Sequence, residues 1–275
     1  MALAPTWEGN SLKKQPCRDR NGVMMYRRTT MLPCERSPLE IVALNWLAGL
    51  AAAVAVSLAS ASAEEPPRWS LQSTSDFASY GAFYTDLTAN FAPFGSQWEP
   101  GWRVQGIASA RRYSFIDSGT KRIGLDTTLD GLVGYQFISN GWSWLLAAGP
   151  TMVNAHVYAA AGLLPSNTTI FGIKALSSVY GNPTSNTMLY AQGHYNTGSE
   201  FFYVQGKTGI AIAQNLFVGP EAAFSGSWTY DQVRVGGHIT GVKFLGIQSG
   251  ASLGFVRDST YGKGFYVGLN LQASF

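Results

Sequence analysis

The stretch FYVGLNLQASF, Phe265 to Phe275, alternates without a break. Phe265, Val267, Leu269, Leu271, Ala273 and Phe275 are apolar, and Tyr266, Gly268, Asn270, Gln272 and Ser274 between them are polar, small or amphipathic. Successive side chains of a β-strand point to opposite faces. This segment therefore reads as a strand with one apolar face and one wet face.

The same split recurs upstream. Leu245, Ile247, Leu253 and Phe255 oppose Gly246, Gln248, Gly250 and Ser252; Val233, Val235 and Ile239 oppose Gln232, Arg234, His238 and Thr240. Leu216, Val218 and Phe224 oppose Gly219, Glu221 and Ala223, and Phe202, Val204, Ile210 and Ile212 oppose Tyr203, Gln205 and Lys207. No segment after Glu64 holds a sustained helical apolar repeat. Clusters of Gly, Asn, Ser and Asp separate the alternating segments. Twelve strands are expected, over 68–76, 81–91, 100–115, 122–138, 141–156, 170–181, 186–197, 200–213, 215–226, 230–241, 244–257 and 263–275.

A soluble sandwich also alternates, but it does not require so wet a face opposite an apolar face on nearly every strand. The chain ends on Phe275 within a strand, and aromatics gather near strand ends: Trp98, Trp102, Trp142, Trp144, Trp228, Phe91 and Phe137. Amphipathic rings of this kind suit a membrane–water boundary. The expected fold is all-β, an antiparallel transmembrane β-barrel of about 12 strands, an even number as bacterial outer-membrane barrels have. Connections at 139–141, 182–185 and 214 are short, as periplasmic turns should be. The stretch Pro93 to Glu99 is long where a short turn is expected.

The leader, 1–63, is distinct from the barrel region, 64–275. It carries seven Lys+Arg against four Asp+Glu, whereas the remainder is balanced at twelve of each. It also holds both cysteines, Cys17 and Cys34, so the barrel region can form neither a disulfide nor a thiolate metal site. An apolar run, 41–58, follows Arg27, Arg28 and Arg36 and precedes Ala61-Ser62-Ala63. A basic region, an apolar region and a small-x-small site define a cleaved signal segment; a retained anchor is the alternative, for which the run is short. The region before the run is longer than a signal needs, so either a true start at Met24, Met25 or Met31 or a disordered stretch over residues 1 to about 30 is expected. The low charge content, 13%, argues against disorder and against a nucleic-acid partner.

Carrying the alternation inward gives a lumen lined by Arg103, Arg111, Lys174, Lys207 and Arg234 and by Asp86, Asp126, Asp130 and Glu221, with His238 among them. A selective ion pore usually shows one sign of charge; this near-balance suggests pairing across strands. A hairpin centred between Ser227 and Trp228 would set Glu221 opposite Arg234 as an ion pair. Asp126 and Asp130 share a face, but four residues of strand, about 13 Å, separate them too widely for glycoside hydrolysis. No G-x-S-x-G, H-E-x-x-H or phosphate-loop pattern is present. No catalytic residue, metal or cofactor is expected, and His194 and His238 read as hydrogen-bonding lumen residues. Gly149-Pro150 and Gly219-Pro220 each fall within an apolar strand, where proline should mark a bulge or an end. Inward Tyr84, Tyr113, Tyr190, Tyr203 and Tyr266 offer aromatic and hydroxyl surface of the kind sugars stack on.

The segments FVGPEAAF (Phe217 to Phe224), YDQVRVGGHITGVK (Tyr230 to Lys243) and SGASLGFVRDSTYGKGFYVGL (Ser249 to Leu269) resemble the BcsS family of bacterial cellulose biosynthesis proteins. Upstream, WSWLLAAGPTMVNAHV (Trp142 to Val157) is similar to that family's central Gly-Pro strand. The loop 158–170 and the region 69–100 show little similarity. The resemblance implies an outer-membrane accessory barrel in cellulose production or export, and so in exopolysaccharide and biofilm formation. It would be non-catalytic, guiding or anchoring glucan. Its partners would be outer-membrane lipid, the barrel-insertion machinery, cellulose and other cellulose-secretion components. Two alternatives stand beside it: a lipid- or glycan-modifying enzyme with a Ser/His site, and a general small-solute porin.

Overall fold

The computed structural model describes residues 66–117, 120–158, 166–228 and 230–275, together with the backbone of one short antiparallel pair, β1 (Cys17–Arg18) and β2 (Met24–Met25). Apart from that pair, the expected leader with its apolar run lies outside the described residues. Twelve further strands follow: β3 (Trp69–Ala78), β4 (Phe83–Phe91), β5 (Gly101–Asp117), β6 (Thr120–Ser139), β7 (Trp142–Tyr158), β8 (Ser166–Gly181), β9 (Thr187–Asn196), β10 (Phe201–Ala213), β11 (Leu216–Ser227), β12 (Tyr230–Phe244), β13 (Ile247–Asp258) and β14 (Gly262–Ser274). Each pairs antiparallel with its sequence neighbour, and β14 pairs with β3, so the twelve strands close into a barrel. Reciprocal backbone bonds between Trp69 and Phe275, 2.9 Å each way, complete the seam. Closure leaves no strand edge to lipid, where unpaired backbone groups cost several kcal/mol each.

The alternation decides which face meets lipid. Leu129, Val133, Val204, Ile210, Val235, Leu253, Phe255, Phe265 and Val267 point outward and are exposed. So large an exposed apolar surface is unstable in water, at about 25 cal/mol per Å², and matches a hydrocarbon layer. The barrel is an outer-membrane protein, with this surface against lipid. At the end where Trp69 meets Phe275, here the near end, outward aromatics form a girdle. Trp69 stacks on Phe91 at 4.4 Å, Trp102 meets Tyr135 edge-on at 5.7 Å, and Phe137 leans on Trp144 at 6.1 Å. Strands of 16 to 20 residues, β5 to β8, exceed the roughly 9–11 that a membrane span requires. The β5–β6 and β7–β8 hairpins therefore rise beyond the far rim as a tall wall.

Local irregularities carry the pattern through. In β12 the register shifts between Thr240 and Val242. Gly241, at φ +99°, occupies that bulge with Asn215 O only 1.8 Å from where its Cβ would be. The extra residue turns the alternation over, so that Val242 and Phe244 face out after Val233 and Val235 have done so.

The two Gly-Pro pairs behave otherwise than expected. Neither marks a bulge or an end: Pro150 pairs with Ile173 and Pro220 with Gly237 in unbroken register. On the opposite side, the register joining Lys207 to Glu221 and Ile210 to Val218 sets Thr208 against Pro220. The register of β6 and β7 likewise sets Gly131 against Pro150. Proline offers those carbonyls no N–H. Each carbonyl leans instead over the preceding glycine, where a Cβ would lie 1.9 Å from Thr208 O or 2.0 Å from Gly131 O. A strand can thus hold proline mid-length when glycine makes room for the carbonyl that proline leaves unbonded.

The interior is not wholly polar. Ile107, Leu132 and Ala147, with Leu176 against them, form an inward apolar patch on β5 to β8. Met188, Val153 and Phe217 are also buried.

Candidate functional site

The barrel encloses a cavity of about 640 Å³, lined by residues from the near end (Ser70, Ser143, Ser274) through to the far end (Phe115, Ser227, Tyr230). Its structure is best followed along the axis.

At the near mouth the long β4–β5 connection is folded around one side chain. Arg103, 1% exposed, donates to Glu99 O at 2.5 Å, Ser96 O at 3.1 Å, Gln97 O at 3.5 Å, Trp102 O at 2.9 Å and Gln136 Oε1 at 2.7 Å. The Glu99 carboxylate accepts from Ser96 N at 3.0 Å. Gln97 ties the loop to the strand entering the barrel, its N–H to Pro67 O and its amide to Arg68 O. The Pro93–Glu99 stretch is therefore a built cap over the mouth, which explains why it is longer than a turn. Phe94 and Trp98 project from it, both largely exposed, and Trp98 also borders the cavity.

In the middle lie two buried ion pairs. Lys174 Nζ sits 2.6 Å from Asp130 Oδ2, reaching from β8 to β6 across β7, where Thr151 Oγ1 donates to Asp130 Oδ1 at 2.5 Å. Asn196 Nδ2 donates to Thr151 in turn, at 3.0 Å. Lys207 Nζ lies 3.1 Å from Glu221 Oε2, a charge contact without hydrogen-bond alignment, while Tyr266 Oη donates to Glu221 Oε1 at 2.6 Å. His238 sits beside this group, Nε2 at 3.1 Å from Thr208 O and Nδ1 at 2.9 Å from Thr240 Oγ1. Asp86 has no cation at ion-pair distance among the described residues; it lines the cavity with Tyr84.

At the far mouth Arg111 Nη2 meets Asp126 Oδ2 at 2.6 Å, and Tyr113 Oη donates to Asp126 Oδ1 at 3.2 Å. The Arg111 guanidinium also covers the Phe201 ring at 4.3 Å and the Tyr113 ring at 5.0 Å. Arg234 Nη1 reaches Asp76 Oδ2 at 2.8 Å across β13 and β14, and its Nε donates to Gln232. The wall beneath is cleared by glycine: a Cβ on Gly268 would stand 2.6 Å from Asp76 Oδ1. Tyr80, in the β3–β4 turn, donates to Asp258 and accepts from Gln232. Burial raises its phenol above the ordinary value, and the Asp258 carboxylate adds to that rise.

The arrangement corrects one expectation directly. Glu221 and Arg234 do not pair. The β11–β12 hairpin is centred one residue later than assumed, with Ser227 opposite Tyr230, so Arg234 faces Ala223 and Glu221 faces Gly236. Glu221 takes Lys207, and Arg234 takes Asp76. Of the expected sugar-contact tyrosines, Tyr84, Tyr113, Tyr190 and Tyr203 border the cavity, whereas Tyr266 is buried against Glu221 away from it. Asp76 and Phe201 escaped the sequence reading, whereas His194 was expected as a hydrogen-bonding lumen residue and is held by ring contacts. Asp76 continues the inward row Gln72, Thr74, and Phe201 the row Tyr203, Gln205, so the alternation carried both. His194 stacks on Tyr203 at 5.6 Å and lies 6.2 Å from Phe201.

A family model described as "Cellulose biosynthesis protein BcsS" matches residues 72–275. No curated protein matches. Among solved structures the chain is similar to the KdgM porin, at 9% identity and TM-score 0.43 over 75% of this chain and 99% of that one. It is similar to the translocator domain of the autotransporter NalP from Neisseria meningitidis, at 11% and 0.45 over 86% and 98%. It is also similar to Omp33 from Acinetobacter baumannii, at 15% and 0.39 over 76% and 98%. At these identities and TM-scores none of the three bears on what the barrel does.

Proposed function

This chain belongs to the BcsS family of cellulose biosynthesis proteins, and from that premise we propose that it is a non-catalytic outer-membrane accessory whose lumen receives and guides glucan. The observation that carries the reading is the lining of the cavity. Aromatic rings (Tyr84, Tyr190, Tyr203, Phe201) share it with uncharged hydrogen-bonding groups such as Gln105, Gln192 and Gln232. Apolar ring faces and amide or hydroxyl edges are what a neutral pyranose presents in complement. The charges are mostly spent on one another, in Arg111–Asp126, Lys174–Asp130, Lys207–Glu221 and Arg234–Asp76. Such a wall offers little net field to a charged solute.

His238 argues for the non-catalytic reading. A general base needs a free ring nitrogen within reach of the proton it takes. Both nitrogens of His238 are engaged, by Thr240 and Thr208.

The test is a deletion strain. Cell-associated cellulose should fall while glucan synthase activity in isolated membranes persists. Unchanged cellulose would end the proposal, and loss of synthase activity would make the protein part of the synthetic step instead.

A further inference from the structure

Arg111 stands on β5 and Phe201 on β10, five positions apart in a ring of twelve, nearly diametrically opposed. Their contact at 4.3 Å therefore crosses the lumen. It lies at the level where the short strands end: Arg111 is opposite Tyr84, one pair below the start of β4, and Phe201 is the first residue of β10. Past it the tall wall continues, with Phe115 facing the cavity.

We propose that Phe201 and the Arg111–Asp126 pair form a glucosyl-binding constriction at the far mouth, through which a neutral β-glucan passes by displacing Arg111 from the ring. This rests on the glucan-guiding function proposed above and assigns one subsite within it. Three features support it. Phe201 carries the Arg111 guanidinium 4.3 Å from its ring centroid, an exchangeable cation–π contact worth about 0.5–1 kcal/mol at an exposed site; a pyranose face can take that place. Arg111 keeps an anchor when displaced, because Asp126 holds it at 2.6 Å from the neighbouring strand. The pair then borders the passage with guanidinium donors and a carboxylate acceptor, complementary to sugar hydroxyls. The Arg111 side chain is 26% exposed while Asp126 is 6%, so the arginine is the more accessible of the two and its partner the more enclosed. Tyr113, which donates to Asp126, and His194, beside Phe201, complete the ring of groups facing this point.

The test uses the full chain in detergent and in planar bilayers, with cellohexaose as probe. Heat-modifiable gel migration first confirms that each variant is folded. Cellohexaose should bind the wild type in calorimetry, and Phe201→Ala should weaken it at least tenfold while Phe201→Tyr keeps it within twofold. With the near-mouth cap opened by Arg103→Ala, adding Arg111→Ala should raise single-channel conductance severalfold, and added cellohexaose should reduce that current. Cellohexaose binding equally to wild type and Phe201→Ala overturns the proposal, as does unchanged conductance when Arg111→Ala is added to the cap-opened Arg103→Ala protein. A hexamer of galacturonate binding more tightly than cellohexaose overturns the neutral-glucan assignment. If cellohexaose does not bind the wild type at all, the constriction is not a glucan site; the function itself stands or falls on the deletion strain.

Discussion

His238 Nε2 lies 3.1 Å from the backbone oxygen of Thr208, the carbonyl that faces Pro220 and receives no N–H from it. The imidazole fills the place of a missing ladder donor. This fixes the tautomer: Nε2 carries the proton for Thr208, and Nδ1 accepts from the Thr240 hydroxyl. The hydrogen-bonding role expected of His238 thus takes a specific form, repair of the sheet.

The consequence is a coupling between His238 and Pro220. His238→Ala leaves a buried carbonyl unbonded and should cost about 1–3 kcal/mol. In a Pro220→Ala background the strand regains its own N–H, so the same change should cost clearly less. Urea unfolding of the four proteins of this double-mutant cycle in detergent measures the difference. Equal costs in both backgrounds would show that the imidazole does not serve the Thr208 carbonyl.

Gly241 should be the most demanding glycine among the positive-φ positions of β12 and its turn. Gly241→Ala must both hold φ +99° and place a Cβ 1.8 Å from Asn215 O. Gly246, at φ +78°, has open space around it. We expect Gly246→Ala to lower stability by about 1 kcal/mol, from backbone strain alone. Gly241→Ala should lower it more or leave the barrel unable to close. Refolding yield, read from the heat-modifiable band, distinguishes the two.

The strands and their facing were legible because a residue's side of a strand is a local property. Twelve alternating runs gave twelve strands, with the largest displacement at the start of β8, Ser166 rather than 170. Pairing within the lumen was not local and was largely illegible. A single-residue change in where the Ser227–Tyr230 turn is centred was enough to separate Glu221 from Arg234. The partner that Arg234 does find, Asp76, lies on a strand brought near only by closure of the barrel. The Arg111–Phe201 contact is equally a product of closure. The apolar lumen patch at Ile107 and Leu132 runs against the wet-face pattern. It sits where the long strands pack side chains on one another instead of facing water.

Lys174 and Asp130 should behave as a unit. Their side chains are 7% and 0% exposed, so removing one leaves an uncompensated charge. Lys174→Ala should destabilise by about 3–5 kcal/mol. The double variant Lys174→Met with Asp130→Asn, which removes both charges, should recover most of that loss. Denaturant midpoints in the same detergent provide the comparison. A double variant no more stable than Lys174→Ala would mean that the hydrogen bonds of Asp130 to Thr151, and not the charge pair, dominate.

Arg103 should govern whether the near-mouth cap stays closed. Its guanidinium satisfies carbonyls of Ser96, Gln97 and Glu99 at once, which a flat five-donor group can do and an ammonium cannot reproduce. Phe94 and Trp98 are already exposed in the intact loop, so chymotrypsin reaches both rings. It is slowed only because the backbone is held against the unfolding that cleavage requires. Arg103→Ala should therefore accelerate cleavage at Phe94 and Trp98 at least tenfold, with Arg103→Lys between the two. The heat-modifiable barrel band should persist in both variants, since neither change touches the closure of β14 on β3. Cleavage at the wild-type rate in Arg103→Ala would show that Gln97, through Pro67 and Arg68, suffices to hold the cap.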